Sequence, residues 1–255
     1  MDHDAYHAFT AALTARAAAL PEVVGLAALG SMSGVGTPPD RFSDHDFFLV
    51  VASGTQERFR KDLGWLPDAE RVALAFRETA HGLKVVYDDG HLLEFAVFDP
   101  PELAVARVNR WRVLLDRAEV AERMRAVRQA TAAETPPDRA WLAGQVLTTL
   151  LVGAGRFRRG ERLAGHRFVK GHAVDHLLRL VAACVPPADP AAPDDLDPSR
   201  RFERAWPALA AEIEGALALE VPAAAARLLA LARRVAGDGE QARGFAAVER
   251  ALGAP

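Results

Sequence analysis

The chain contains 255 residues with a mass of 27.4 kDa, a length that suits one large domain or two modest ones. Half of the residues are hydrophobic and 25% are charged, which excludes collagen-like, coiled-coil and disordered proteins. The net charge is only −3, with 12 cationic against 18 anionic residues over 1–120 and 19 against 16 over 121–255, so we do not expect a general nucleic-acid-binding protein.

The first half of the chain is predicted to be a mixture of strands and helices. Apolar residues at helical spacing predict a helix over 5–20. A threonine suited to cap a helix, followed by charged residues, predicts another over 55–63. Short apolar runs predict strands over 23–29, 47–52, 72–76, 83–87, 92–98 and 111–115. Three glycines over 30–37 predict a turn after the first strand, and Asp89-Gly90 predicts a tight hairpin between the strands over 83–87 and 92–98.

From residue 119 the pattern becomes helical and remains so. A helix over 119–132 is followed by a break at Thr135, Pro136 and Pro137, after which Asp138 is suited to cap a new helix. Five further helices are predicted over 139–160, 165–184, 201–219, 222–235 and 240–252. The segment over 186–199 contains five prolines and four aspartates, which predicts an exposed loop.

Two aspartates at the start of the second strand are the first candidates for chemistry. Asp44 and Asp46 are two positions apart, so in an extended chain they project from the same face, about 7 Å apart at the backbone, while His45 points to the other face. Two carboxylates this close repel each other unless a cation lies between them. Mg²⁺ is the natural candidate because it prefers oxygen ligands.

A third acid and a glycine-rich turn complete this set. Glu94 shares a strand face with Leu92 and Ala96, so we expect a carboxylate buried among apolar neighbours, as a metal ligand or as a general base. Gly30-Ser31 follows the first strand, where a glycine lets backbone N–H groups approach a phosphate and a serine hydroxyl can donate one more hydrogen bond.

These motifs resemble those of the nucleotidyltransferase superfamily that includes DNA polymerase beta. The family pattern is a hydrophobic residue, Gly, Gly or Ser, a spacer, and then Asp-x-Asp or Asp-x-Glu; Leu29-Gly30-Ser31 and Asp44-His45-Asp46 match it, and Glu94 supplies the third acid. The match covers residues 25–100. His45 departs from the apolar residue common at its position, and position 94 holds glutamate rather than aspartate, as in several members.

Within the superfamily the layout resembles the small bacterial antibiotic nucleotidyltransferases, such as the aminoglycoside adenylyltransferases and the lincosamide enzymes, which carry a helical C-terminal domain. The resemblance implies that Asp44 and Asp46 ligate Mg²⁺ with ATP or another nucleoside triphosphate. It also implies that Gly30 and Ser31 hold the β- and γ-phosphates and that Glu94 deprotonates an acceptor hydroxyl.

A basic cluster in the second half is a candidate for the triphosphate. Residues 156–170 contain only one acid, Glu161, and six cationic residues. The cations are Arg156, Arg158, Arg159, Arg162, Arg167 and Lys170. We expect Lys170 to contact the triphosphate, although a solvated helix face explains most such charges.

Other candidate motifs are weaker. His172 and His176 are four residues apart, as zinc ligands can be, but no third ligand has a convincing spacing. The segment over 30–34 reads Gly-Ser-Met-Ser-Gly, so it has methionine where a nucleophile elbow needs serine. The segment over 34–36, Gly-Val-Gly, lacks the third glycine of a dinucleotide-binding loop. The single cysteine, Cys184, excludes an internal disulfide and favours a cytoplasmic location.

The sequence therefore predicts an α/β (α+β) protein. A mixed-sheet nucleotidyltransferase domain over 1–134 would precede a helical, acceptor-binding domain over 138–255, with the active cleft between them. The expected activity is Mg²⁺-dependent transfer of AMP from ATP to a hydroxyl of a small molecule, such as an aminoglycoside or a lincosamide. No membrane span is expected, and the sequence leaves open whether a homodimer forms.

A different class of function also remains open. The same acids would suit a regulatory or antitoxin-like module that binds Mg²⁺ and a nucleoside triphosphate or modifies a protein partner. Arg167 and His172 even have the spacing of an RNase-like helical domain, although such a pair arises easily by chance.

Overall fold

The computed structural model describes residues 2–36, 38–133, 137–237, 239 and 241–253. By its internal contacts the chain divides into two compact units, residues 1–134 and 135–255.

The first unit contains a six-stranded sheet and three α-helices within its described residues. Its strands are β1 (Val23–Leu29), β2 (His45–Val51), β3 (Val72–Arg77), β4 (Gly82–Tyr87), β5 (Leu92–Phe98) and β6 (Trp111–Asp116). Its helices are α1 (His3–Ala19), α2 (Gln56–Lys61) and α3 (Val120–Ala132), and a 3₁₀ turn, Gly30–Ser33, follows β1.

The sheet is mixed, with the strand order β3-β4-β5-β2-β1-β6. Strands β2 and β5 pair in parallel, and the other neighbours pair antiparallel. The hairpin between β4 and β5 is confirmed: Gly90 has a φ of +84°, and its N–H donates to the Tyr87 carbonyl. This left-handed conformation is readily available to glycine, which explains the Asp-Gly signal.

Each face of the sheet carries its own apolar core. On one face, here called the α1 face, Phe47 and Phe95 stack at a centroid distance of 4.8 Å beneath apolar side chains of α1 and α2. On the opposite face, the α3 face, Phe48 and Phe98 pack against Val120, Met124 and Val127 of α3. Strand residues therefore alternate between two buried layers.

In the second unit the described regular elements are all helices, and they share one apolar core. Its α-helices are α4 (Arg139–Arg158), α5 (Arg162–Arg167), α6 (Ala173–Cys184), α7 (Phe202–Ala205), α8 (Pro207–Leu217), α9 (Val221–Ala236) and α10 (Ala242–Gly253), with a π-helical turn, Phe168–His172, joining α5 to α6.

Helix α4 and the π-helical turn approach each other closely at a glycine. A Cβ on Gly153 would lie 2.7 Å from the Val169 Cγ2 and 2.8 Å from the Phe168 Cβ. Gly165 makes a similar approach to Phe157. These two glycines allow the backbones to pack at a distance that a larger residue would prevent.

The predicted mixed α/β fold is confirmed, with three corrections of detail. The helix predicted over 201–219 is broken before Pro207, because a proline within a helix removes a hydrogen bond and clashes with the preceding turn. The helix predicted over 165–184 starts earlier, at Arg162, and contains the π-helical turn. The predicted break at Thr135 and Pro136 and the start at Glu240 lie outside the described residues.

The third correction concerns the segment over 186–199. It is a loop, but it is not simply exposed: Ala192 is buried in the core, and the Asp194 carboxylate pairs with Arg201 at 2.6 Å. Neither contact produces a periodic pattern that a sequence could reveal.

Among the described residues, no helix combines the length and apolar character needed to cross a membrane.

Candidate active site

Three carboxylates from two strands of the first unit come together on the α3 face. Asp46 on β2 and Glu94 on β5 are register partners in the parallel pair, and Asp44 precedes β2 by one residue. One oxygen from each of Asp44, Asp46 and Glu94 lies within 4.8 Å of the other two. The three acids predicted from the sequence are therefore gathered in one place.

Glu94 is more open to solvent than the sequence predicted. Its side chain is 37% exposed rather than buried among apolar groups, because the strand face around it is left partly uncovered. The Lys84 Nζ lies 3.0 Å from the Glu94 Oε1 and 3.0 Å from the Glu78 Oε1. Lys84 and Glu94 are register partners on β4 and β5, so the cation occupies the next strand of the same face.

This lysine is a component of the site that the sequence analysis missed. Hydrogen bonds from Lys84 to Glu94 and then to Glu78 raise the pKa of the ammonium, which is therefore charged throughout the neutral range. Its position opposite Glu94 depends on the register of the β4–β5 hairpin. The alternation of residues along β4 was the one sequence signal that could have placed Lys84 on the same face as Glu94.

Gly30 lies directly beside the acids. Its φ is +49°, and a Cβ built on it would lie 3.4 Å from the Asp46 Oδ2. The positive φ favours glycine at this position, and a Cβ there would be in van der Waals contact with Asp46. The Gly30 N–H donates to the Arg110 carbonyl at 3.1 Å, so this particular amide is already used within the protein.

The turn after Gly30 is held by its own hydrogen bonds. The Ser33 hydroxyl donates to the Gly30 carbonyl at 2.6 Å and accepts from the Val35 N–H, and Gly34 ends the turn in a left-handed conformation. Ser31 is half-buried in this turn. Of the two predicted phosphate-binding residues, Ser31 offers a hydroxyl, whereas the Gly30 amide donates to the Arg110 carbonyl.

Arg110 brings a cation to Gly36, in the segment that follows this turn. A Cβ on Gly36 would lie 2.9 Å from the Arg110 Nη1, so the guanidinium packs closely on the Gly36 backbone. The sequence analysis did not single out this arginine, because it follows Asp46 by more than sixty residues of chain and belongs to no recognisable motif.

His45 points away from the acids, as predicted, into the α1 face. It is fully buried, and its Nδ1 lies 2.7 Å from the Nε2 of His91. Its Nε2 lies 3.2 Å from the Tyr6 carbonyl, which can only accept, so Nε2 carries the proton and Nδ1 accepts from His91. Burial, followed by the nearby His91, lowers the pKa of His45 to about 3, and the imidazole is neutral.

The phenol of Tyr6 reaches the site from α1. Its hydroxyl donates to the Asp44 carbonyl at 2.8 Å, and its ring stacks on His45 at a centroid distance of 3.8 Å. In the sequence Tyr6 was only one apolar position of the opening helix, and the polar contact of its hydroxyl gave no separate signal.

Lys170 and the basic cluster belong to the second unit. Lys170 lies in the π-helical turn and donates to the Leu217 carbonyl at 2.8 Å. Arg156 and Arg159 pair with Glu161, and Arg158 donates to the Ala251 carbonyl at 3.0 Å. Several members of the cluster thus have structural contacts, and a contact of Lys170 with a triphosphate stays a prediction.

The two histidines considered as zinc ligands have separate surroundings. His172 packs edge-on against Phe168, and His176 packs edge-on against Trp141. Burial lowers the pKa of His176. Neither residue belongs to an acidic or metal-ligating cluster within the described part of the chain.

The donor set of the acids fits a hard divalent cation. It consists of carboxylate oxygens at one half-buried point, without sulfur or imidazole. Such an all-oxygen ligand set suits Mg²⁺ better than Zn²⁺. The neighbouring turn supplies the Ser31 hydroxyl. Such an arrangement can hold a metal ion together with a phosphate-bearing ligand.

Comparison with known proteins finds similarity among solved structures. The chain matches no protein-family profile and no curated protein. Among solved structures it is similar to an aminoglycoside 6-adenyltransferase from Bacillus subtilis, with 11% sequence identity and a TM-score of 0.33, over 96% of this chain and 90% of that one. A likeness of this size does not by itself establish an activity.

Proposed function

We propose that this protein is a Mg²⁺-dependent nucleotidyltransferase that transfers AMP from ATP to a hydroxyl of a small molecule. The observation that carries the proposal is the meeting of Asp44, Asp46 and Glu94 at one point beside the Gly30–Ser33 turn. An acid cluster alone has many explanations, whereas acids beside a turn that bears a hydroxyl suit the combination of metal and triphosphate.

In this proposal Asp44 and Asp46 hold the metal ion, and Glu94 is within reach as a third ligand. Bound there, Mg²⁺ would offset the negative charge of the triphosphate and of the transferring group. Ser31 donates a hydrogen bond to the β- and γ-phosphates, while Lys170 from the second unit remains the proposed additional contact. Arg110, whose guanidinium packs on Gly36, is a further cation that we propose to contact the phosphates.

The reaction itself requires one proton acceptor. The acceptor hydroxyl gives its proton to Glu94, its oxygen forms a bond to the α-phosphorus, and the bond from that phosphorus to the bridging oxygen breaks, releasing pyrophosphate. The exposure of Glu94 is favourable for this role, because an acceptor must reach the carboxylate from solvent. Most of the rate enhancement then comes from positioning and from charge stabilisation.

The acceptor is the least constrained component. Aminoglycosides and lincosamides are the candidates that the sequence resemblance suggests, and the acidic balance of residues 1–120 suits a polycationic acceptor. We propose the helical unit over 138–255 as its binding region and the cytoplasm as its setting.

The test is acceptor-dependent release of pyrophosphate. The purified chain is incubated with ATP, Mg²⁺ and a panel of hydroxyl-bearing antibiotics and metabolites, and pyrophosphate is measured with and without each compound. The double variant Asp44→Asn, Asp46→Asn should abolish the release, while Asp175→Asn, at an exposed position of α6, should retain it.

Nucleotide binding without acceptor-dependent release would contradict the proposed reaction. That result would favour the alternative, a module that binds Mg²⁺ and nucleotide for regulation. Release that persists in the double variant would show that the acids are not the site of transfer.

A further inference from the structure

Asp44 lies just outside the hydrogen-bonded part of the sheet. Strand β2 begins at His45, whose register partner on β5 is Leu93, and Asp46 is the next residue to pair. The ladder therefore positions Asp46 and Glu94 directly, whereas the backbone of Asp44 depends on contacts from elsewhere.

The Tyr6 hydroxyl supplies one such contact. It donates to the Asp44 carbonyl at 2.8 Å from a side chain that is only 2% exposed. The ring is fixed in turn by stacking on His45 and by the surrounding α1 core. A buried, rigid donor thus holds the peptide group at the point where the chain enters β2.

The same hydroxyl also lies close to the other parts of the site. The Ser31 side chain lies near enough to the Tyr6 phenol to act on its pKa, and both Asp44 and Asp46 act on it electrostatically. Burial raises the pKa of Tyr6, Ser31 lowers it, and the two carboxylates raise it; the net change is upward, so the phenol keeps its proton.

We propose that Tyr6 is a positioning residue of the metal site, which holds Asp44 and Ser31 in one arrangement relative to each other. The inference rests on the proposed function to the extent that these residues bind a metal ion and a phosphate. Tyr6 itself touches neither; it acts through the backbone of Asp44, beside Ser31.

The physical consequence is pre-organisation. A carboxylate that binds a metal ion must sit within a fraction of an ångström of its place, and its position depends on the φ and ψ of its own residue. Without the phenol hydroxyl, the Asp44 peptide group loses a restraint. The entropy cost of ordering Asp44 is then incurred when the metal ion binds. Metal affinity should therefore fall while the sheet stays intact.

The chain offers a matched control for the obvious variant. It contains two tyrosines, and the second, Tyr87, is also buried and also donates to a backbone carbonyl, that of Pro67 at 2.6 Å. Tyr87 lies on β4 with its ring on the α1 face, opposite the face that carries Lys84 and the acids. Tyr6→Phe and Tyr87→Phe each remove one comparable hydroxyl from the same unit.

The experiment measures Mg²⁺ binding to the full chain by calorimetry, with Mg²⁺ alone as the probe. Tyr6→Phe should weaken binding by about fivefold to tenfold, the size of one lost hydrogen bond, and Tyr87→Phe should leave it within about twofold of the unmodified chain. Both variants should lower the thermal unfolding midpoint by similar amounts, so stability alone does not explain the difference.

A spectroscopic measurement keeps the inference testable if Tyr6→Phe fails to fold. In Tyr87→Phe protein labelled with ¹³C at the tyrosine Cζ, a single resonance reports on Tyr6. Saturating Mg²⁺ should shift this resonance, and Mn²⁺ should broaden it.

The outcomes separate this inference from the proposed function. Equal Mg²⁺ affinity in Tyr6→Phe and Tyr87→Phe, or a Tyr6 resonance that Mg²⁺ does not shift although it binds, would overturn the role of Tyr6 and leave the metal site standing. Failure of the unmodified chain to bind Mg²⁺ or Mn²⁺ would remove the metal site, and the role of Tyr6 with it.

Discussion

Asp46 and Glu94 are register partners on the parallel strands β2 and β5, so one hydrogen-bonded ladder sets the spacing between two of the three acids. The partner of Glu94 on the other side is Lys84 of β4. A row of one cation and two carboxylates therefore crosses three adjacent strands on one face of the sheet. The arrangement means that Glu94 has a cationic neighbour before any metal ion binds.

This row predicts that Lys84 competes with a metal ion for Glu94. Replacing Lys84 by methionine removes the competing ion pair and should strengthen Mg²⁺ binding by about twofold to fivefold, the range of a partly exposed ion pair. Lys61→Met, which removes an exposed charge at the end of α2, is the control for net charge. Calorimetry checks the prediction, and equal affinities in the two variants would show that Glu94 is not a ligand.

The second prediction concerns the close approach of Gly30 to Asp46. Gly30→Ala and Gly34→Ala both place alanine at a positive φ, of +49° and +71°, and each should cost about 1 kcal/mol of unfolding free energy. Only the Cβ at position 30 meets Asp46, since nothing lies within 4 Å of the one at position 34. Gly30→Ala alone should therefore weaken Mg²⁺ binding.

Denaturant unfolding and Mg²⁺ titration of the two glycine variants measure these effects separately. A loss of metal affinity that is the same in both would indicate a general effect of strain in the turn. The contact of the Cβ at position 30 with Asp46 would then have no separate effect on Mg²⁺ affinity.

The third prediction tests the packing of the second unit. The Cβ of alanine at Gly153 would overlap Val169 and Phe168, so Gly153→Ala should lower the unfolding free energy by about 1–3 kcal/mol. Gly144→Ala on the same helix meets nothing within 4 Å and should instead raise it by up to about 1 kcal/mol. Opposite signs in thermal unfolding are expected, and the same sign in both would contradict the close helix packing.

The fourth prediction is a loss of stability in acid through His45. Its pKa is about 3 in the folded chain and about 6.5 when unfolded, so below pH 6.5 the unfolded state binds one more proton than the folded state. The unfolding free energy should fall by about 1.4 kcal/mol per pH unit from this group as pH decreases from 6.5 towards 3. His91, whose pKa is also lowered by burial, acts in the same direction.

His45→Gln keeps a hydrogen-bonding side chain at this position but removes the titrating group. Its unfolding free energy should decline less steeply between pH 6.5 and 4 than that of the unmodified chain, while the exposed His3→Gln should follow the unmodified curve. Parallel curves for all three proteins would argue against a neutral, buried His45.

Much of the fold could be predicted because its signals are local. The boundaries of β1 and β5 match the predicted strands residue for residue, since each is a continuous apolar run closed by turn residues. Asp44, Asp46 and Glu94 could be selected because alternation along a strand assigns side chains to faces. The side on which His45 lies followed from the same rule.

What the sequence did not reveal depends on pairing between distant segments. The exposure of Glu94 and its contact with Lys84 follow from the strand order, which a strand pattern alone does not specify. The contribution of Tyr6 arises because α1 covers β2, a tertiary relationship outside any local motif. Pro207 was a sequence signal for a helix break, but the helical periodicity on both sides of the proline led to the prediction of one continuous helix.

The parallel pairing of β2 with β5 also links the folding of this unit to its chemistry. The β4–β5 hairpin is local, whereas its docking against β2 joins segments separated by a long stretch of chain, a step that closes a large loop and is correspondingly slow. Until that docking occurs, Asp46 and Glu94 have no fixed separation. Completion of the central sheet and assembly of the acid cluster are consequently a single event, so any local opening that detaches the hairpin also dismantles the site.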